Sequence, residues 1–91
     1  PVLLLTGPLG SVPEVLVAYI SSVQPTDPLA SDIVLDPSLP EHALTKLKTV
    51  SVVRLHKLAT IHGRCLVRRL GVLSDPSMAE VAMRMRSLLG L

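Results

Sequence analysis

Seven of the eight prolines lie before residue 41, at positions 1, 8, 13, 25, 28, 37 and 40. Proline locks φ and offers no N–H, so it interrupts both helices and ladder-bonded strands. The first half therefore reads as short strands separated by stiff turns. Val2–Thr6 is one strand candidate and Glu14–Ser22 a stronger one. The loop from Gly7 to Pro13 joins them as a hairpin connection. In Glu14–Ser22 both alternating sets are apolar: Val15, Val17 and Tyr19 on one side, Leu16, Ala18 and Ile20 on the other. A strand apolar on both faces belongs in the middle of a sheet or barrel. Gln24–Ser31 is a loop, Asp32–Asp36 a short strand ended by Pro37, and Ser38–Leu47 an irregular stretch.

The second half begins with Val50–Leu58, β-branched and alternating, which predicts a strand. Arg54 and His56 share one parity and so point to the same face. His62–Cys65 reads as a turn or a single helical turn, and Leu66–Leu73 as a further strand with Arg68 and Arg69 on opposite faces. A helix follows. Ser74 suits its N-cap, Asp75 its positive end and Pro76 its first turn. Met78, Val81, Ala82, Met85, Leu88 and Leu89 form an apolar stripe at helical spacing, and Gly90 ends it. Glu80 and Arg84 form an (i, i+4) pair on the side expected to be exposed. Hairpin-connected strands followed by one amphipathic helix predict a mainly β fold, a small antiparallel barrel or curled sheet with the helix packed on it.

At 91 residues the chain suffices for one domain spanning 1–91. Tyr19 is the only aromatic residue. The core must then be built from Val, Leu and Ile, and base stacking on aromatic platforms is not expected, which speaks against an RRM or oligonucleotide-binding fold. Cys65 alone cannot make an internal disulfide or a cysteine-based zinc site. The run Val15–Ile20 is too short to cross a bilayer, and no basic segment precedes Val2–Leu5 as in a signal peptide. These features predict a cytoplasmic protein. Charge is unevenly spread: residues 1–45 carry five acidic and no basic residues, while residues 46–91 carry nine basic against two acidic, a net +7. Either a basic face awaits a polyanion or an acidic partner, or the halves interleave and the charges pair.

The chain has no phosphate-cradling glycine loop, no HExxH and no GxSxG, and His42, His56 and His62 lack metal-ligand spacing. Arg54 and His56 are candidates for a substrate-facing pair, since histidine is the side chain that titrates near neutral pH; the plain alternative is a solvated strand face. Arg64, Arg68 and Arg69 could hold phosphates or dock an acidic segment. Cys65 lies near Arg64 and Arg68, although a lone cysteine of this kind is more often simply buried.

An ordered set of segments resembles one family. Pro1-Val2-Leu3-Leu4-Leu5 and Leu16-Val17-Ala18-Tyr19-Ile20-Ser21-Ser22 are similar to the second and third strands of MazF/PemK toxins. Asp32-Ile33-Val34-Leu35 is similar to the next strand. The segment Ser51–Ile61 resembles the one that follows, and Leu70–Ser74 with the helix ending Leu88-Leu89-Gly90-Leu91 resembles the C-terminus. The resemblance implies an SH3-like barrel that dimerises and cuts single-stranded mRNA without metal or cofactor, an mRNA interferase neutralised by a cognate antitoxin. It also implies a catalytic role for Ser21, which matches the Thr or Ser closing the third strand. Beside it Arg54, His56, Arg68 and Arg69 are candidates for RNA binding on their own charge and parity, with docking of the antitoxin's acidic segment an equal reading for Arg68 and Arg69. The family's arginine would directly precede Pro1, and its opening Gly-Asp-Val strand would lie further upstream; neither is in these 91 residues. Without that strand the Val2–Leu5 edge is expected to be open. Two other readings are a non-catalytic binding module or inactive fragment on the same barrel that dimerises or binds an antitoxin, and a topoisomerase poison resembling CcdB. The latter toxins use a tryptophan near the C-terminus, and this chain has none.

Overall fold

A computed structural model describes all 91 residues. Four strands, β1 (Val2–Leu4), β2 (Glu14–Ser21), β3 (Asp32–Leu35) and β4 (Ser51–His62), form one antiparallel sheet in the order β1-β2-β4-β3. The sheet curls into a half-barrel, and helix α1 (Asp75–Leu89) packs against it. β2 is central, hydrogen-bonded to β1 and β4, as its two apolar faces predict. Val15 and Val17 are buried on one face, Ala18 and Ile20 on the other. The β1–β2 hairpin is closed by a bridge between Leu9 and Glu14, with Gly10 at φ 70° in its turn. That left-handed conformation strains any residue with a β-carbon.

The core joins Leu3, Ala18, Ile20, Ile33, Leu35, Val53 and Leu55 of the sheet to Val81 of the helix, flanked by Leu73, Met78 and Met85. It is an aliphatic core, as composition requires. α1 is capped as its sequence dictates. The Ser74 hydroxyl accepts the Ser77 N–H, and Gly90 takes φ 73° at the C-terminal end. Leu88 and Leu89, at the end of the apolar stripe, remain exposed.

β4 bends sharply. Ala18 pairs with Leu58, but the next residue, Tyr19, pairs with Arg54, so Leu55, His56 and Lys57 are extra residues on β4. A bulge of this kind bends the strand and increases its twist, which curls the sheet. It also lets β4 run to His62, four residues past the expected end at Leu58.

Three expectations are corrected. Leu66–Leu73 is not a strand. It lies against a 3-10 helix at Pro40–Thr45, within the stretch expected to be irregular. The Val72 N–H donates to the Leu44 carbonyl at 2.9 Å, and a β-carbon on Gly71 would collide with the Leu44 and Thr45 carbonyl oxygens. β-branched sequence makes a strand only where a partner ladder is available, and here the backbone bonds go to the 3-10 helix instead. Arg68 and Arg69 accordingly do not point to opposite faces of a sheet. Arg84 is half-buried rather than exposed: it pairs with Glu80 and also donates to the carbonyls of Ala30 and Asp32. Cys65 is exposed, in a 3-10 turn at Gly63–Cys65.

β1 and β3 are the two edge strands. Val2 and Leu4 are exposed on β1 and Val34 on β3. No helix is long and apolar enough to cross a membrane.

Candidate functional site

Antiparallel partners directly opposite one another present their side chains on one face. Tyr19 on β2, Arg54 on β4 and Asp32 on β3 are such partners and form a row across three strands. The next row on the same face is Ser21, Val52 and Val34. Ser21 and Arg54, far apart in sequence, thus become diagonal neighbours on one face.

Asp32 organises its surroundings. Its Oδ1 accepts from Arg54 Nε at 2.8 Å, and its Oδ2 accepts the Leu29 N–H at 2.9 Å. His56 Nδ1 stands 4.0 Å from the same Oδ1. The shared parity of Arg54 and His56 therefore survives the bulge, and both side chains gather at one carboxylate. Lys57, the last bulged residue, holds its Nζ 5.8 Å from the centroid of the Tyr19 ring.

Ser21 ends β2. Its hydroxyl accepts the Val23 N–H at 3.1 Å and donates to the Val23 carbonyl at 3.2 Å, a local turn that secures the strand end. Beside it, Ser22 and Pro1 line a cleft of about 520 Å³ together with Lys46, Lys48, Arg68 and Arg69. No carboxylate lines this cleft, and none of the four cations is in an ion pair. Lys46 and Lys48 follow the 3-10 helix, whereas Arg68 and Arg69 belong to the segment seated on it through Gly71 and Val72. One backbone junction thus brings two basic pairs from distant parts of the chain to one cavity. Lys46 has φ 58°, the only residue other than glycine in the left-handed region. Arg64 is not among the lining residues.

The charge asymmetry resolves both ways. Arg54 and Arg84 pair with Asp32 and Glu80, while the four cleft cations are left unpaired. Of the residues singled out in the sequence, Arg54 and His56 lie at the Asp32 carboxylate and Arg68 and Arg69 line the cleft; Asp32, Lys46 and Lys48 were not singled out. The surplus of basic residues after position 45 contained the lysines without saying which would converge. Nothing in the sequence discloses that Asp32 stands opposite Arg54.

A second cavity, about 480 Å³, lies between β3, the 3-10 helix and the start of α1. There His42 Nδ1 is 3.5 Å from Ser77 Oγ, and Glu41 is 3.9 Å from His42 Nε2. The 3.5 Å spacing is too long for a nucleophile held by its base.

A comparison with protein families agrees with the fold. The family model described as a PemK-like, MazF-like toxin of type II toxin-antitoxin systems matches residues 1–89. A search of the curated proteins finds none that matches the chain. With nearly its whole length matched, the chain belongs to the PemK-like, MazF-like toxins of type II toxin-antitoxin systems.

Proposed function

We propose that this toxin is a metal-independent endoribonuclease that cleaves single-stranded mRNA and is held inactive by its cognate antitoxin. Its setting is the cytoplasm, and its working form a homodimer. The observation that carries the reading is the carboxylate-free cleft of Lys46, Lys48, Arg68 and Arg69 beside the end of β2, where Ser21 stands. Unpaired cations at a concave surface are what an RNA backbone requires, and they make binding salt-dependent.

In the reaction, the ribose 2′-oxygen attacks the adjacent phosphorus and loses its proton to an acceptor. The P–O5′ bond breaks, and the departing 5′-oxygen takes a proton. The products are a 2′,3′-cyclic phosphate and a 5′-hydroxyl. The Ser21 hydroxyl, once released from Val23, donates to a non-bridging phosphate oxygen, where negative charge accumulates. Arg68 and Arg69 hold flanking phosphates. His56, whose Nδ1 faces the Asp32 carboxylate, accepts the 2′-hydroxyl proton at its other ring nitrogen, and solvent water protonates the departing 5′-oxygen. Arg54 orders this group through Asp32.

A non-catalytic binding module is the second reading. It is favoured by the engagement of the Ser21 hydroxyl with Val23 and of Arg54 with Asp32. End-mapping of a labelled single-stranded RNA incubated with the chain in EDTA separates the two. Discrete cuts that leave cyclic phosphates, absent with Ser21→Ala, establish the ribonuclease. RNA left uncut by the wild-type chain selects the second reading, a module that dimerises or binds the antitoxin.

A further inference from the structure

Tyr19 is the only aromatic residue of the chain, and the fold leaves it 46 % exposed on the central strand. Its neighbours Ala18 and Ile20 point into the core, while Tyr19 stands on the face that carries Ser21. Two residues at a strand rise of ~3.3 Å each separate the two positions by roughly 7 Å, a length that one extended nucleotide spans. Lys57 places its ammonium 5.8 Å from the ring centroid, Arg54 lies directly opposite on β4, and His56 is next to Lys57 in the bulge. The one carboxylate on this face, Asp32, is already engaged by Arg54.

We propose that Tyr19 is a base-stacking residue of the RNA site: its ring stacks on the base adjoining the phosphate at Ser21, and Lys57 meets the phosphate of that nucleotide. The proposal rests on the ribonucleic acid reading above and deepens it by naming where a base is recognised. A base offers a π-face to the ring and a phosphate to the cation, the combination that single-strand binding surfaces use. A single ring serves a single base, which suits a chain with no other aromatic residue.

Because the chain has no tryptophan, emission from Tyr19 reports on this one position. The full chain is titrated with short 2′-O-methyl oligoribonucleotides, which cannot be cleaved, and with abasic strands of equal length. Binding is followed independently by anisotropy of a strand-borne dye. The base-bearing strand is expected to quench Tyr19 emission and the abasic strand to leave it unchanged. Tyr19→Leu should weaken binding of the base-bearing strand about 5- to 150-fold, the ~1–3 kcal/mol that stacking one base contributes. Tyr19→Phe, which keeps the ring, should bind within about twofold of wild type. Binding seen by anisotropy with Tyr19 emission unmoved and Tyr19→Leu unimpaired would overturn the stacking role and leave the RNA reading intact. Absence of any anisotropy change would sink both. Tyr19 emission that shifts on dilution of the protein alone, and not with RNA, would assign the ring to contact between copies and overturn the proposal.

Discussion

Arg54 donates from Nε to the Asp32 carboxylate across 2.8 Å, with 15 % of the arginine side chain and 5 % of the aspartate side chain exposed. The other carboxylate oxygen holds the Leu29 N–H, and the Asp32 main-chain carbonyl accepts from Arg84 Nη1 at 2.8 Å. One residue of β3 thereby ties β4, the loop before β3 and helix α1 together.

Removing one partner of a buried pair leaves the other charge without compensation. Arg54→Ala is expected to lower the unfolding free energy by roughly 3 kcal/mol, read from urea denaturation. Asp32→Asn keeps an oxygen for Leu29 and removes the charge, so the double variant Asp32→Asn/Arg54→Ala should lose less than the two single losses added together. Additive losses would mean that the two side chains are energetically independent.

Gly71 holds the arginine-bearing segment on the 3-10 helix because no β-carbon fits between it and the carbonyls of Leu44 and Thr45. Gly71→Ala must displace backbone, at a cost of about 1–3 kcal/mol. It should also move Arg68 and Arg69 away from Lys46 and Lys48. The slope of log affinity against log salt for a single strand should then fall, by roughly 0.7 for each phosphate no longer neutralised. An unchanged slope with reduced stability would show that the cleft does not depend on this junction.

Lys46 combines a strained backbone with a place in the cleft. Lys46→Gly relieves the left-handed conformation but loosens the unfolded chain, for a net gain of about 0.5 kcal/mol in stability. RNA affinity should decline in the same variant, since a cation is gone. Thermal unfolding and anisotropy, measured on one preparation, test whether stability and binding move in opposite directions.

Asp36 ends β3 in a turn whose Ser38 hydroxyl and N–H both donate to its carboxylate, at 2.7 and 3.0 Å. These bonds, the hydroxyl foremost, hold its pKa below the usual 3.8, with a smaller contribution from His42 and against the opposing effect of burial. A carboxylate lowered on folding stabilises the fold above its unfolded pKa, and that stability is lost as pH falls through the folded value. Ser38→Ala should raise the Asp36 pKa toward 3.8 in a carboxyl-resolved NMR titration and reduce the acid sensitivity of folding in this range. A titration curve unmoved by the substitution would remove the Ser38 hydroxyl as the cause.

Local chemistry was readable wherever it acts over a few neighbouring residues. The serine cap, the apolar period and the terminal glycine announced α1, and the two apolar faces of Glu14–Ser21 announced a central strand. The prolines announced the turns between short strands. Period and capping depend on spacing along the chain, so a sequence states them directly.

Convergence across the chain was not readable. Leu66–Leu73 has strand-like sequence, yet it pairs with no strand, and the Val72 N–H bonds to Leu44 of the 3-10 helix against which Gly71 is packed. The bulge at Leu55–Lys57 sets which β4 residue faces Tyr19, and a shift of one residue would send every side chain to the opposite face. The pairing of Asp32 with Arg54 and the meeting of Lys46, Lys48, Arg68 and Arg69 depend on that register and on one close backbone approach. The order of residues is enough to dictate most of the elements, the aliphatic core and the surplus of positive charge in the second half. Which of those charges are neutralised and which remain free at a cleft is a property of the folded chain, because pairing depends on distance through space.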